Sequence, residues 1–388
     1  MNKHCRLSKL LLLVLAAGTS SFSLMSLAKD SPQDNTSQAS ETAGKKSFIP
    51  NIKDNDTAVT VSKGNYVAAP IPFSNPTIDS GLAGVFGYFY PQDAHQKANQ
   101  PPSVTGIGAM YSSNKSYAAA VGHASYWDDN NWQFKGGVGY ADLKLPLISS
   151  DENNIGFNLN WDLKGVAALA EINRQFAKNW YVGLTGIYLD LKQQFSVDIS
   201  SIHFELGNEV QSFGLGPAII YDSRDVPTNA YDGYYFKAET IIYDKAIGSE
   251  NEFTSYNLEV DGYHPLREDL VVAWKLKGCA REGDIPLWAA CRLGLRGFAS
   301  TEFMSRQSLE TEAEARWRFH KRWGMVAFAG LGALDDTHSR INESEVIPSY
   351  GVGLRWMIQP AERINIRLDY ARSNDNNQAV YLSVGEAF

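Results

Sequence analysis

The sequence predicts an all-β chain that crosses a membrane as a closed antiparallel β-barrel. Three observations lead there. Beyond the N-terminus, no apolar stretch approaches the ~20 residues that a spanning helix needs, so a membrane form must cross with strands. Segment after segment alternates every second residue between an apolar and a charged face, which marks half-buried strands. The connections alternate too, short and then long and polar, as in outer-membrane barrels. A 44% hydrophobic content is too high for a disordered chain. A net charge of −8 excludes nucleic acid as a partner, because binding it requires a basic surface.

The N-terminus reads as an export signal. Lys3, Arg6 and Lys9 precede the apolar run Leu10 to Ala17, and Ser26-Leu27-Ala28 offers small residues for cleavage after Ala28. Residues 1–28 are therefore expected to leave, taking three positive charges and no acid with them. Residues 29–64 contain little that can bury apolar area and are expected to be a disordered periplasmic segment. Cys5 departs with the signal. Cys279 and Cys291 then remain as a close pair in an oxidising compartment, and a disulfide between them is expected.

The barrel is expected over residues 65–388. In 309–319, Leu309, Thr311, Ala313, Ala315, Trp317 and Phe319 oppose Glu310, Glu312, Glu314, Arg316 and Arg318. In 363–371, Ile364, Ile366, Leu368 and Tyr370 oppose Arg363, Asn365, Arg367 and Asp369. In 234–243, Phe236, Ala238, Thr240 and Ile242 oppose Lys237 and Glu239. Charge this dense on the second face suits a wet lumen. Fifteen strands are read, at 82–90, 103–112, 116–126, 131–143, 163–176, 179–193, 209–221, 233–243, 252–264, 268–278, 308–319, 323–333, 348–358, 363–371 and 378–387. A weak first strand in 65–73, interrupted by Pro70 and Pro72, makes sixteen, with fourteen as the alternative. Tyr and Trp near strand ends, among them Tyr88, Trp127, Trp180, Tyr181, Tyr235 and Trp323, are expected to form a girdle at the lipid boundary. Phe388 ends an alternating last strand and looks like the signal that barrels present to the insertion machinery.

Three stretches resemble the BamA/TamA bacterial surface antigen superfamily. The strand Gly214 to Tyr221 leads into Asp222-Ser-Arg224-Asp225, which resembles the family's Asp-x-Arg-Asp turn. Leu295-Arg296-Gly297-Phe298 resembles its Arg-Gly-Phe/Tyr tip in the sixth extracellular loop. Ser349-Tyr-Gly351-Val-Gly353-Leu-Arg355, with Phe388, matches its last strands. The resemblance implies a sixteen-strand outer-membrane barrel whose sixth loop folds into the lumen. It also implies a role in inserting proteins into the outer membrane or moving them across it. Members carry polypeptide-transport-associated domains before the barrel, and residues 29–64 are too few for one, so the chain resembles a barrel-only branch.

In the family the loop arginine meets acids on the barrel wall. Glu314 stands where one of them falls, with Glu310 and Glu312 as alternatives on the same face. The second acid is unmatched, since Phe328-Ala329-Gly330 occupies its place, and the loop is expected to be held from one strand only. The seven His are scattered, and there is no Gly-x-Ser-x-Gly elbow. No enzyme activity, cofactor or metal is expected. The expected partners are outer-membrane lipid, the insertion machinery during biogenesis, and a client protein or lipid. The alternative is a passive pore or structural surface antigen.

Overall fold

The computed structural model describes residues 64–150, 157–199, 202–335, 346–360, 363–374 and 377–388. The expected export signal and nearly all of the 29–64 segment lie outside them. The chain forms one closed barrel of sixteen antiparallel strands. They are β1 (Asn65–Asn75), β2 (Asp79–Phe89), β3 (Val104–Ser112), β4 (Tyr117–Trp127), β5 (Trp132–Ser150), β6 (Phe157–Ala177), β7 (Trp180–Ile199) and β8 (Ile202–Asp222). There follow β9 (Gly233–Tyr243), β10 (Phe253–Arg267), β11 (Leu270–Gly283), β14 (Gln307–Trp317), β15 (Trp323–Asp335), β16 (Val346–Gln359), β17 (Ile364–Arg372) and β18 (Gln378–Val384). Between β11 and β14, the sixth loop holds a two-stranded ribbon, β12 (Cys291–Arg292) and β13 (Met304–Ser305). A short helix, α1 (Ala94–Asn99), sits in the β2–β3 connection behind an Asp93 capping box.

Burial follows sequence parity, but inside out. On β14 the apolar residues Leu309 and Trp317 are exposed, while Glu310, Glu312, Glu314 and Arg316 are buried in the lumen. This is the barrel arrangement, with lipid outside and polar groups within. Trp127 stacks on Trp132, Trp323 on Trp356, and Trp180 contacts Tyr221, so an aromatic belt rings the short-turn end. Tyr181 does not belong to that belt: it is buried and its hydroxyl accepts from Asn130. Tyr235 also departs from it, lying beneath the guanidinium of Arg224.

Strands β5 to β8 are longer than the sequence reading, at 19, 21, 20 and 21 residues, about twice the ~9–11 needed to cross a membrane. The residues expected as long loops over 144–162 and 194–208 are mostly paired strand. The reason is an exchange of faces. On β6 the inner face runs from Trp161 and Leu163 to Glu171 and Asn173, while the outer face runs from Asp162 and Lys164 to Val166, Ala168 and Ile172. The outer face of β7 changes likewise between Tyr188 and Asp190. Above the lipid the outside is wet and the inside is an apolar core, as in a soluble sheet. Leu143, Leu145, Trp161, Leu163 and Leu191 form that core, and Trp288 of the sixth loop packs into it. The outward charges, such as Lys144 at 2.5 Å from Asp162, read as loop in the sequence.

The barrel closes weakly. β1 pairs with β2 at every position from Asn65 to Asn75, but with β18 only at Ser74↔Leu382. Pro70 and Pro72 have no N–H to give a ladder, and proline in sheets is confined to edges. β1 is therefore an edge strand held in a ring.

Phe388 is not on the last strand. β18 ends at Val384, and after Gly385 (φ +90°) the chain turns into the lumen. There Phe388 packs beside Tyr263 and Ala273, and its main-chain oxygen accepts from Arg316 at 2.9 Å.

Candidate functional site

The sixth loop enters the lumen from the long-loop end. A disulfide joins Cys279 on β11 to Cys291, with a Cα separation of 5.6 Å and a sequence separation of 12. It anchors the β12–β13 ribbon against the inner wall. Beyond it, Leu293, Leu295, Phe298 and Ile347 form a buried cluster, with Phe303 edge-on to Phe298 at 4.7 Å. Glycines on β15 make room for this crossing. A Cβ on Gly332 would lie 2.6 Å from Leu293, and one on Gly330 would lie 2.9 Å from Leu295. Thiol labelling of the unreduced protein should find no reactive thiol beyond residue 28, and two after reduction. Cys291→Ser should lower the unfolding free energy by about 3 kcal/mol, read from urea unfolding of the heat-modifiable gel band. An unchanged midpoint would show that the wall contacts alone hold the loop.

Arg296 is the centre of the loop tip. Its side chain is buried, and its Nη2 donates to Glu312 Oε1 at 2.9 Å and to Glu314 Oε1. Its Nη1 donates to Asp369 Oδ2 at 2.8 Å on β17. The loop is thus held from two strands, which corrects the expectation of one. The acid on the second strand is Asp369, and Phe328, from the Phe328-Ala329-Gly330 stretch, turns its ring to the guanidinium, 3.4 Å from Arg296 Cζ to the ring centroid. Glu310 takes no part in this pairing; it accepts the main-chain N–H of Gly294. Gly297 has φ +119°, a conformation that favours glycine, and its N–H donates to the Tyr381 hydroxyl at 2.9 Å. The tip is pinned further by Ser349, whose hydroxyl donates to the Arg296 carbonyl.

The ion pairs extend across the lumen. Arg316 donates to Glu314 at 2.8 Å, Arg355 pairs with Asp369, and Arg355 Nε donates to Glu386 at 2.7 Å. Burial works against the charge on Arg296, but Glu314, Glu312 and Asp369 more than offset it and raise its pKa. The loop tip therefore stays cationic at any ordinary pH.

The Asp222-Ser-Arg224-Asp225 turn closes the short-turn end. Arg224 forks onto Asp222 at 2.9 and 2.7 Å and lies over Tyr235 at 4.3 Å. Asp225 Oδ1 accepts from the N–H groups of Val226 and Tyr231 at 2.9 and 3.0 Å, and Oδ2 accepts from Arg363 at 2.6 Å. Arg363 also lies over Tyr231 at 4.0 Å, and Asn229 donates to the Arg363 carbonyl at 2.7 Å. The β8–β9 turn is thereby bound to the β16–β17 turn, 138 residues away in sequence.

A profile of the Omp85 superfamily domain matches residues 104–388. The chain belongs to the Omp85 superfamily. Among solved structures, this Omp85 barrel is similar to BamA from Haemophilus ducreyi lacking POTRA domains 1-3, with TM-score 0.59 and 13% identity over 84% of this chain and 70% of that one. It is also similar to CdiB from Escherichia coli, with TM-score 0.56 and 12% identity over 82% of this chain, and to CdiB from Acinetobacter baumannii, with TM-score 0.53 and 9% identity over 83%. The aligned region spans 62% and 60% of those two CdiB chains. No curated protein matches the chain. At these identities the structural likeness establishes the fold, and the family membership rests on the domain profile. No polypeptide-transport-associated domain lies among the described residues.

Proposed function

We propose that this Omp85-type outer-membrane barrel assists the insertion or transport of protein or lipid by opening between β1 and β18. The observation that carries this reading is the closure at one register position, Ser74↔Leu382, in a ring whose other neighbours pair over many. Opening that seam breaks few hydrogen bonds, whereas opening any other breaks a ladder. Arg296 and its acids lie on the loop, β14 and β17, so their pairing can persist while β1 moves, at the cost of the Thr77–Ser300 hydrogen bonds that tie the loop to the β1–β2 turn. In this role the protein sits in a Gram-negative outer membrane after export by residues 1–28. The insertion machinery assembles it, and its work calls for no catalytic group or cofactor. A passive porin needs an open lumen, and here the sixth loop occupies it.

The test is a seam lock. Ser74→Cys with Leu382→Cys places two thiols at partnered positions. In vesicles containing the purified barrel, insertion of a second unfolded barrel protein and exchange of labelled lipid are followed before and after oxidation. We expect whichever of the two the native protein accelerates to fall to the rate of empty vesicles on oxidation, and to return on reduction. Acceleration that survives the lock would refute lateral opening. No acceleration of either by the native barrel would favour a structural role.

A further inference from the structure

The lumen has two unlike halves. Every inward side chain of β1 to β3 above their ends is uncharged, including Val67, Ala69, Ile71, Phe73, Val85 and Met110. The facing wall, on β11, β14 and β17, carries Lys275, Lys277, Glu312, Arg367 and Asp369. A cavity of about 360 Å³ lies between them, within the ~300–1,000 Å³ range of small-molecule sites. Its apolar side is Ile71, Phe73, Val85 and Met110, closed from above by Leu295 and Phe298 of the loop. It also reaches Ser74 and Leu382, the partnered residues at the seam, and Val384 farther along β18.

Arg367 lines this cavity without a hydrogen-bond partner. Its Nε and Nη1 are buried and make no hydrogen bond among the described residues. The carboxylate beside it, Asp369 Oδ2 at 3.9 Å, already accepts from Arg296, and Asp369 Oδ1 is taken by Arg355. The neighbouring cations are engaged, Lys277 with Glu259 at 2.6 Å and Lys275 with Glu312 at 3.6 Å. The side chain as a whole is 17% exposed, but its two buried, idle donor nitrogens are costly unless an anion meets them.

We propose that this cavity binds a single-chain anionic amphiphile, an acyl chain ending in a carboxylate or phosphate, which enters sideways from the membrane through the β1–β18 seam. The head lies on Arg367, and the chain lies along Ile71, Phe73, Val85 and Met110. The site rests on the proposed opening of the β1–β18 seam but not on transport, because a barrel that opens and moves nothing can still hold the ligand.

The test uses the full chain in phosphatidylcholine nanodiscs and a photoreactive hexadecanoic acid whose cross-links are mapped by mass spectrometry. Cross-links are expected on the lumen residues of β1 to β3. Arg367→Gln should reduce them about ten-fold, the scale of one charged hydrogen-bonding group, and Arg367→Lys should retain most of them. A hexadecanol probe should label the lumen about ten-fold less than the acid, for the same reason. Gly108→Phe should block labelling with Arg367 intact, since a Cβ there meets nothing nearer than 3.6 Å and the ring would grow into the cavity. Each variant is first checked for the heat-modifiable band, and the lysine variant keeps the test decisive if the glutamine variant does not fold. Excess inorganic phosphate should leave labelling unchanged. The proposal is overturned by labelling confined to the lipid-facing Leu82, Phe86 and Ile107, by equal labelling of Arg367→Gln, or by equal labelling with the alcohol. Loss of labelling to phosphate alone would make this an anion site and overturn the amphiphile. A negative result here leaves the seam-lock outcome untouched, so the two readings fail separately.

Discussion

Replacing Arg296 with alanine is expected to release the sixth loop from the lumen while leaving the barrel closed. The strands do not depend on Arg296 for their ladders, so the heat-modifiable band should persist. The loop does depend on it. The substitution removes the one cation shared by Glu312, Glu314 and Asp369, each of them 1% exposed or less, and leaves them to Lys275, Arg316 and Arg355 in turn. Breaking a buried ion pair from one side costs roughly 3–5 kcal/mol, enough to shift a docked loop to a mostly undocked one. Limited proteolysis of the intact barrel should then cut between Cys291 and Leu309, where the native chain resists. In planar bilayers the variant should show current bursts absent from the native protein. Exchanging the charges of Arg296 and Glu314 should not restore the native state, because the new acid at 296 would still face Glu312 and Asp369. Arg296→Lys should rescue only in part, since an ammonium cannot fork to three carboxylates. A native proteolysis pattern in Arg296→Ala would place the hold on the loop in the disulfide and the Leu293–Phe298 cluster.

Asp225→Ala is expected to prevent stable folding. One carboxylate accepts from three main-chain N–H groups of its own turn, those of Val226, Tyr231 and Asp232, and from the Arg363 guanidinium, whose side chain is 2% exposed. Removing it takes the carboxylate from a buried cation and from three main-chain donors, and the buried pair alone accounts for about 3–5 kcal/mol, a large part of a typical folding free energy. Asp225→Asn keeps an acceptor for the N–H groups but not the charge, and should fall between the two. Arg363→Ala should be milder than Asp225→Ala, because it leaves the turn's own hydrogen bonds intact. The measurement is the urea midpoint of the folded band. Equal midpoints for Asp225→Ala and the native chain would mean that the β8–β9 turn contributes nothing to closure.

The strand order and the inside-out parity were legible because they are local. In 309–319 the period of two alone separates lipid-facing from lumen-facing residues, and it supplied the three glutamates as candidates for Arg296. Asp369 could not be named as a partner in that way. It lies 73 residues from Arg296, and only ring closure sets β14 and β17 around one loop. The lengths of β5 to β8 were misread for the opposite reason. Their outward charges are a local signal for loop, but the inner face carried the true pattern through Leu143, Leu145, Leu163 and Leu191. Phe388 shares the parity of Val380 and Leu382, which suggested a strand position. Gly385 breaks the strand, and parity means nothing beyond a break.

The exchange of faces along β5 to β8 bears on how the barrel finds its alignment during assembly. In an ordinary half-buried sheet a one-residue slip swaps one apolar face for one polar face. Here the same slip on β6 would press Asp162 and Lys164 into the apolar upper core and turn Glu171 toward lipid at once. Two errors of opposite sign arise from one displacement, and neither can be relieved without undoing the other. The tall strands thus act as a vernier, with two scales that coincide at a single setting. Short strands such as β18, which lack this double scale, can take their alignment from them through the ring.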